Sequence, residues 1–147
     1  MDTKEKLQEA LKDAMRSGDP VRKRTLRSAL AEIKNAEIEQ GEPLEDSEIL
    51  NVLQKEVKAR RETIEGAEQA DRQDLIEKAQ QEIEVLEKYL PEPLSESELR
   101  EIVQEAIQES GADSLADIGK VMGKVMPRIR GRAEGKDANR IVRELLG

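Results

Sequence analysis

The sequence predicts an all-α protein: an N-terminal four-helix antiparallel unit over residues 1–93, followed by a C-terminal three-helix unit over residues 94–147. Three observations carry this prediction. Apolar residues recur at spacings of three and four along nearly every stretch, the period of a helix with one buried face. Glycine, proline and capping residues fall between those stretches, where helices end and begin. No segment shows the alternating pattern of a strand, and no internal repeat is present.

The first helix is striped by Leu7, Ala10, Leu11 and Ala14. Ser17-Gly18-Asp19-Pro20 ends it and starts the second, with Asp19 as N-cap and Pro20 at the first helical position, where its missing N–H leaves no bond unmade. The second helix runs to about Gln40, with Leu26, Leu30, Ile33 and Glu37 or Ile38 along one side, and stops at Gly41-Glu42-Pro43. Asp46 or Ser47 caps a third, striped by Ile49, Leu53, Val57 and Ile64 and expected to end at Gly66. The fourth shows Leu75 or Ile76, then Ala79, Ile83, Leu86 and Leu90.

Pro91 and Pro93 then forbid helix, and Ser95 with Glu98 three residues later forms a capping box, so the domain boundary is placed at about 91–94. Leu99, Ile102, Val103, Ala106 and Ile107 make a fifth helix ending at Gly111. Ser114 caps a sixth, striped by Leu115, Ile118, Met122, Val125 and Ile129, which Pro127 is expected to bend or end near Met126. The seventh covers about Lys136 to Leu146, with Ala138, Ile141, Val142 and Leu145 facing inward.

Composition excludes whole classes of chemistry. The 147 residues include no His and no Cys. Disulfides, thiolate metal sites, cysteine nucleophiles and Ser-His-Asp triads are therefore ruled out. No apolar run approaches the length of a membrane span, and MDTKEKLQEALKDA lacks the apolar region of a signal peptide, so the expected location is the cytoplasm, with no membrane partner.

Charge is distributed unevenly. The chain carries 25 basic and 33 acidic residues, a net of −8, yet residues 118–147 hold 8 basic and 3 acidic residues. Lys120, Lys124 and Arg128 are four apart and share one face of the sixth helix. Gly119 and Gly123, also four apart, lie on its outer side, where glycine costs about 1 kcal/mol each relative to Ala in a helix interior. Two such costs on an exposed face point to something large approaching the backbone. Arg130 and Arg132 follow, and Gly135-Lys136 opens the last helix, whose free N–H groups favour an anion; Arg140 and Arg143 continue the basic face.

The plain alternative is that glycines make caps and turns and that charged faces are solvated. Against it stand the paired glycines, a local charge opposite to that of the whole, and a basic helix start. The candidate interface is therefore Gly119, Lys120, Gly123, Lys124, Arg128, Arg130, Arg132 and Lys136. Its ligand is a polyanion. With one Tyr and no Phe or Trp there is no stacking platform for single-stranded bases, so a folded RNA read by its phosphates fits best. A second basic cluster, Arg22, Lys23, Arg24 and Arg27 with Lys55, Lys58, Arg60 and Arg61, reads first as a solvated face paired with nearby Glu.

Four separated segments, LAEIKNAEIEQG from Leu30, VLQKEVKARRETIE from Val52, EKYLPEPLSESEL from Glu87 and GKVMGKVMPRIRGRAEGKDANRIV from Gly119, resemble the YqeY family of small bacterial proteins across nearly the whole chain. That family is similar to the C-terminal tail domain of the B subunit of the glutamine-dependent tRNA amidotransferase, a carbon–nitrogen ligase with glutamine as amido-N donor. The resemblance implies a two-part helical fold, tRNA as partner, and a tRNA amidotransferase or synthetase as a second partner. Glu134 and Ala138 depart from the family's usual Asp and Val without touching a basic residue. The resemblance does not imply catalysis. Amidotransfer needs a nucleophile to release ammonia, and ATP use normally needs a phosphate loop; the chain has neither Cys nor GxxxxGK[ST]. The expectation is a tRNA-associated accessory module without autonomous catalysis and without a cofactor. The alternatives are a helical protein–protein adaptor or an amidotransferase-type ligase.

Overall fold

The computed structural model describes all residues, Met1–Gly147. The protein is all-α: α1 Thr3–Ser17, α2 Pro20–Gln40, α3 Asp46–Gln69, α4 Gln73–Glu87, α5 Glu96–Ser110, a 3-10 turn at Leu115–Asp117, α6 Ile118–Ile129 and α7 Gly135–Leu146. None of these helices is long and apolar enough to cross a membrane. The chain forms two compact units, Met1–Pro91 and Glu92–Gly147.

In the first unit the aliphatic stripes meet in one core. Leu7, Ala14, Leu26, Ala29, Ile33, Leu53 and Leu86 are fully buried, with Ile49, Val57, Ile83 and Val85 nearly so. Asp19 accepts from the Arg22 N–H as N-cap of α2, with Pro20 beside it. Gly18 and Gly41 close α1 and α2 in the left-handed region, at φ 73° and 83°, where a side chain would be strained. Ile76 rather than Leu75 takes the core position of α4, and Ile38 is 69% exposed while Glu37 is half-buried. Glu37 has a reason to be there: it accepts from Lys4 Nζ at 2.8 Å and from the Leu44 N–H at 2.9 Å.

Two expectations in this unit fail for identifiable reasons. Neither Asp46 nor Ser47 caps α3. Glu45 does, its N–H bonded by the Glu48 side chain, while the Asp46 carboxylate is taken by the N–H of Thr3 across the unit. Gly66 does not end α3, which continues to Gln69 because the following turn of helix buries Ala67.

In the second unit Leu99, Val103, Ala106, Val121, Val125, Ile129, Ala138, Ile141 and Val142 form the core. The expected capping box is made at 3.2 and 3.1 Å, Ser95 N–H to Glu98 and Glu98 N–H to Ser95. Ser114 caps the 3-10 turn rather than α6 itself. This turn rotates the stripe: Val121, Val125 and Ile129 are innermost, Ile118 and Met122 flank them, and Leu115 is 38% exposed. Leu145 is likewise exposed, and Leu146 packs in its place. Pro127 does not end α6, which continues to Ile129. The ring sits in the last turn, where only two helical residues follow, and fully burying Ile129 outweighs the one bond forfeited.

Candidate nucleic-acid interface

The outer face of α6 is set by what its inner face buries. With Val121, Val125 and Ile129 turned into the core, helical geometry places Gly119 and Gly123 on the far side, one turn or about 6 Å apart. Both are exposed. A Cβ built on either one would meet nothing within 4 Å. No packing demand of the fold therefore requires glycine at these positions. Pro127, four residues after Gly123, has no N–H to donate to the Gly123 carbonyl.

The basic side chains differ in what they already hold. Lys120 is 72% exposed and only loosely associated with Asp117 at 3.9 Å. Lys124 and Arg130 are exposed and make no hydrogen bond or ion pair. Arg128 is committed to Glu105 of α5 at 2.7 Å. Arg132 belongs to the scaffold: its carbonyl accepts from the Leu94 N–H at 2.9 Å and its Nε donates to the Glu92 carbonyl, so it ties the α6–α7 turn to the start of the unit. Gly131 makes that turn possible at φ 78°.

A carboxylate of the chain itself stands at the start of α7. Glu134 is its N-cap residue, and its carboxylate pairs with Lys136 Nζ at 3.5 Å. This carboxylate makes no hydrogen bond to the N–H groups of the helix start, but it engages Lys136, one of the candidate cations. Gly135 also has a packing reason, since a Cβ there would lie 3.2 Å from the Met126 sulfur. Arg140 does not extend the basic face either. It binds Glu96 at 3.0 Å and Glu144 at 3.0 Å, and Arg100 binds the same two acids. The Arg140 guanidinium holds the Glu96 carboxyl below the ordinary carboxylate range, and Arg100 with Arg140 does the same to Glu144. Arg143 donates to the Asn139 side chain.

Of the eight candidates, then, Gly119, Lys120, Gly123 and Lys124 share one open strip. Arg128 lies at its edge in an ion pair, Arg130 is free beyond it, and Arg132 and Lys136 are engaged locally. The second basic cluster is half internal: Arg22 pairs with Asp13, Arg24 with Glu82, Arg60 with Glu56 and Glu82, and Arg61 with Glu87. No group of three or more Asp or Glu side chains is arranged to hold a metal ion. Sequence reasoning missed Glu82, a buried acid at 9% exposure. Its only signal was a charge three residues after Ala79 and one before Ile83 on a core-facing stripe.

The chain is 38% identical over 101 residues to "Altered inheritance of mitochondria protein 41, mitochondrial" of Pyrenophora tritici-repentis, an overlap covering 67% of this chain and 56% of that one. It is 39% identical over 85 residues to the protein of the same name in Eremothecium gossypii, covering 57% and 46%. With that of Lachancea thermotolerans it shares 36% over 91 residues, covering 61% and 49%. The chain thus spans about half the length of these relatives. Their names place them in mitochondria, and this overturns the cytoplasmic location expected from the sequence. That expectation rested on the lack of an apolar span and of a secretory signal, which does not distinguish the cytoplasm from an organelle interior. Across residues 4–146 the sequence matches the pattern described as Yqey-like protein, and the chain belongs to the YqeY family.

Proposed function

We propose that this protein is a tRNA-associated accessory module. Its second unit, Glu92–Gly147, is a separately folding three-helix domain that lays the outer face of α6 against the phosphate backbone of a folded RNA. The observation that carries this reading is the bare strip of Gly119 and Gly123 with unpaired Lys124 beside it. Two glycines without a packing role remove the side chains that would hold a bulky polyanion away from the helix. Lys120 and Lys124 flank the strip, and Arg130 extends the positive charge past the end of α6. Arg128 joins them by exchanging Glu105 for a phosphate, a swap between exposed partners that costs little in water. Binding of this kind uses charge and close approach, with no base readout. A tRNA amidotransferase or synthetase acting on the same tRNA is the protein partner this reading implies, and the module itself carries no catalytic role.

The test is a salt titration of tRNA binding. Lys124→Ala combined with Arg128→Ala should weaken binding and flatten the dependence of log K on log salt by on the order of one unit for each phosphate no longer neutralised. If the wild-type protein binds no tRNA at low salt, or if the double variant binds with an unchanged slope, the face is a protein-docking surface and the adaptor reading replaces this one.

A further inference from the structure

The first unit holds a groove that the RNA reading does not use and does not depend on. Its volume is about 290 Å³, and it runs between α3 and α4, lined by Ala59, Arg60 and Thr63 on one side and Leu75, Lys78, Ala79 and Glu82 on the other. The alanines on both walls leave the room. This size lies near the lower end of small-molecule pockets, which run roughly 300–1,000 Å³.

Its polar groups are unusually placed. Glu82 is nine-tenths buried and accepts no hydrogen bond. Two guanidiniums balance its charge from outside bonding range, Arg24 Nε at 3.7 Å and Arg60 Nε at 3.8 Å. Arg60 is itself held by the Glu56 carbonyl at 2.9 Å, and its Nε–H has no acceptor. The Glu82 oxygens are not among the fully buried unpartnered atoms, so they open to the groove and need donors from whatever fills it. Neutral hydroxyls would meet that need, whereas an ammonium would be repelled by the two arginines. Thr63 donates its own hydroxyl proton to the Ala59 carbonyl, so its oxygen is free to accept. Lys78 is exposed on the groove wall and carries no ion pair, which favours an anionic group at that end.

The geometry points to a binding site for a small hydroxylated anion, of the sugar-phosphate or hydroxy-acid type. Its hydroxyls donate to Glu82, its anionic group sits at Lys78, and its carbon skeleton lies along Leu75, Ala59 and Ala79. Calorimetric titration of the intact protein with ribose 5-phosphate, gluconate, ribose and inorganic phosphate tests this. Ribose 5-phosphate or gluconate should bind at millimolar concentration or better, and which of them binds more tightly identifies the anionic group. Ribose and inorganic phosphate, each lacking one half of the recognition, should bind about tenfold more weakly or worse. Lys78→Ala and Ala59→Leu alter exposed positions and should each weaken the bound probe by about tenfold or more, the first by charge and the second by filling the groove. Binding of neither hydroxylated anion overturns the proposal. So does inorganic phosphate binding as well as either of them, or undiminished binding by Ala59→Leu.

Discussion

Helix α3 carries Gly66 in its interior, and α6 carries Gly119 in its first turn and Gly123 further in; in all three places the missing Cβ faces open space. The backbone geometry is alike and the surroundings are opposite. Gly66 follows Glu65 and lies four residues from Glu62, two residues before Glu68. Gly123 lies three residues from Lys120 and next to Lys124, with Gly119 one turn away. A lone exposed glycine in an acidic stretch presents nothing to a polyanion. A pair of them one turn apart, flanked by lysines, presents bare backbone and positive charge together. Helix-interior glycine is therefore informative only with its neighbours.

The same contrast runs through the ion pairs of the two units. In the first, Glu82 is drawn inside and faces two arginines. In the second, Glu96, Glu144, Arg100 and Arg140 form a network on the surface between α5 and α7. Burial makes the first arrangement consequential for stability, while solvent screens the second.

Core truncations should act most strongly, and they show whether the units are separate. Leu53→Ala and Ile141→Ala each empty a fully buried site and should cost about 2–5 kcal/mol. Each should lower the melting of its own unit and leave the other's unchanged; a single transition shifted by both would join the units into one cooperative body. The fragment 95–147 should likewise unfold cooperatively on its own, and removal of its cap by Ser95→Ala should lower its stability by about 1 kcal/mol, read by denaturant titration.

A smaller effect is expected from acid. Glu96 and Glu144 have folded pKa values below their ordinary range, so the stability they contribute is present in full above the usual carboxylate value of about 4.3 and is lost as pH falls through the lowered values. Arg140→Met should shrink that acid-induced loss in the 95–147 fragment. If the slope of stability against pH is unaltered, the network has no role in it.

Most of the fold was legible because its signals are local. Aliphatic spacing fixed each helix, and Asp19-Pro20, Ser95 with Glu98, and the left-handed Gly18, Gly41 and Gly111 marked their ends. The misses arose where a distant residue decides. Asp46 could not be removed from the candidate caps without knowing that Thr3 occupies it. Pro127 was expected to bend or end α6 near Met126; the helix runs on to Ile129, and the core behind that residue is invisible in one dimension. The candidate site was legible in its charge and its glycines, since both are read from spacing. Which cations are already engaged was not, because Glu105 reaches Arg128 from α5 and Glu92 reaches Arg132 from the linker.

Whether the bare face of α6 touches RNA is decided by substituting the two kinds of glycine side by side. Gly66→Leu and Gly123→Leu each replace an exposed helix-interior glycine with a better helix former and should each stabilise the protein by up to about 1 kcal/mol. tRNA affinity should be unchanged for Gly66→Leu. For Gly123→Leu it should fall at least tenfold, with the salt slope close to that of the wild type, because the leucine obstructs approach without removing charge. If Gly123→Leu binds tRNA as tightly as Gly66→Leu does, the bare strip is not where the RNA lies.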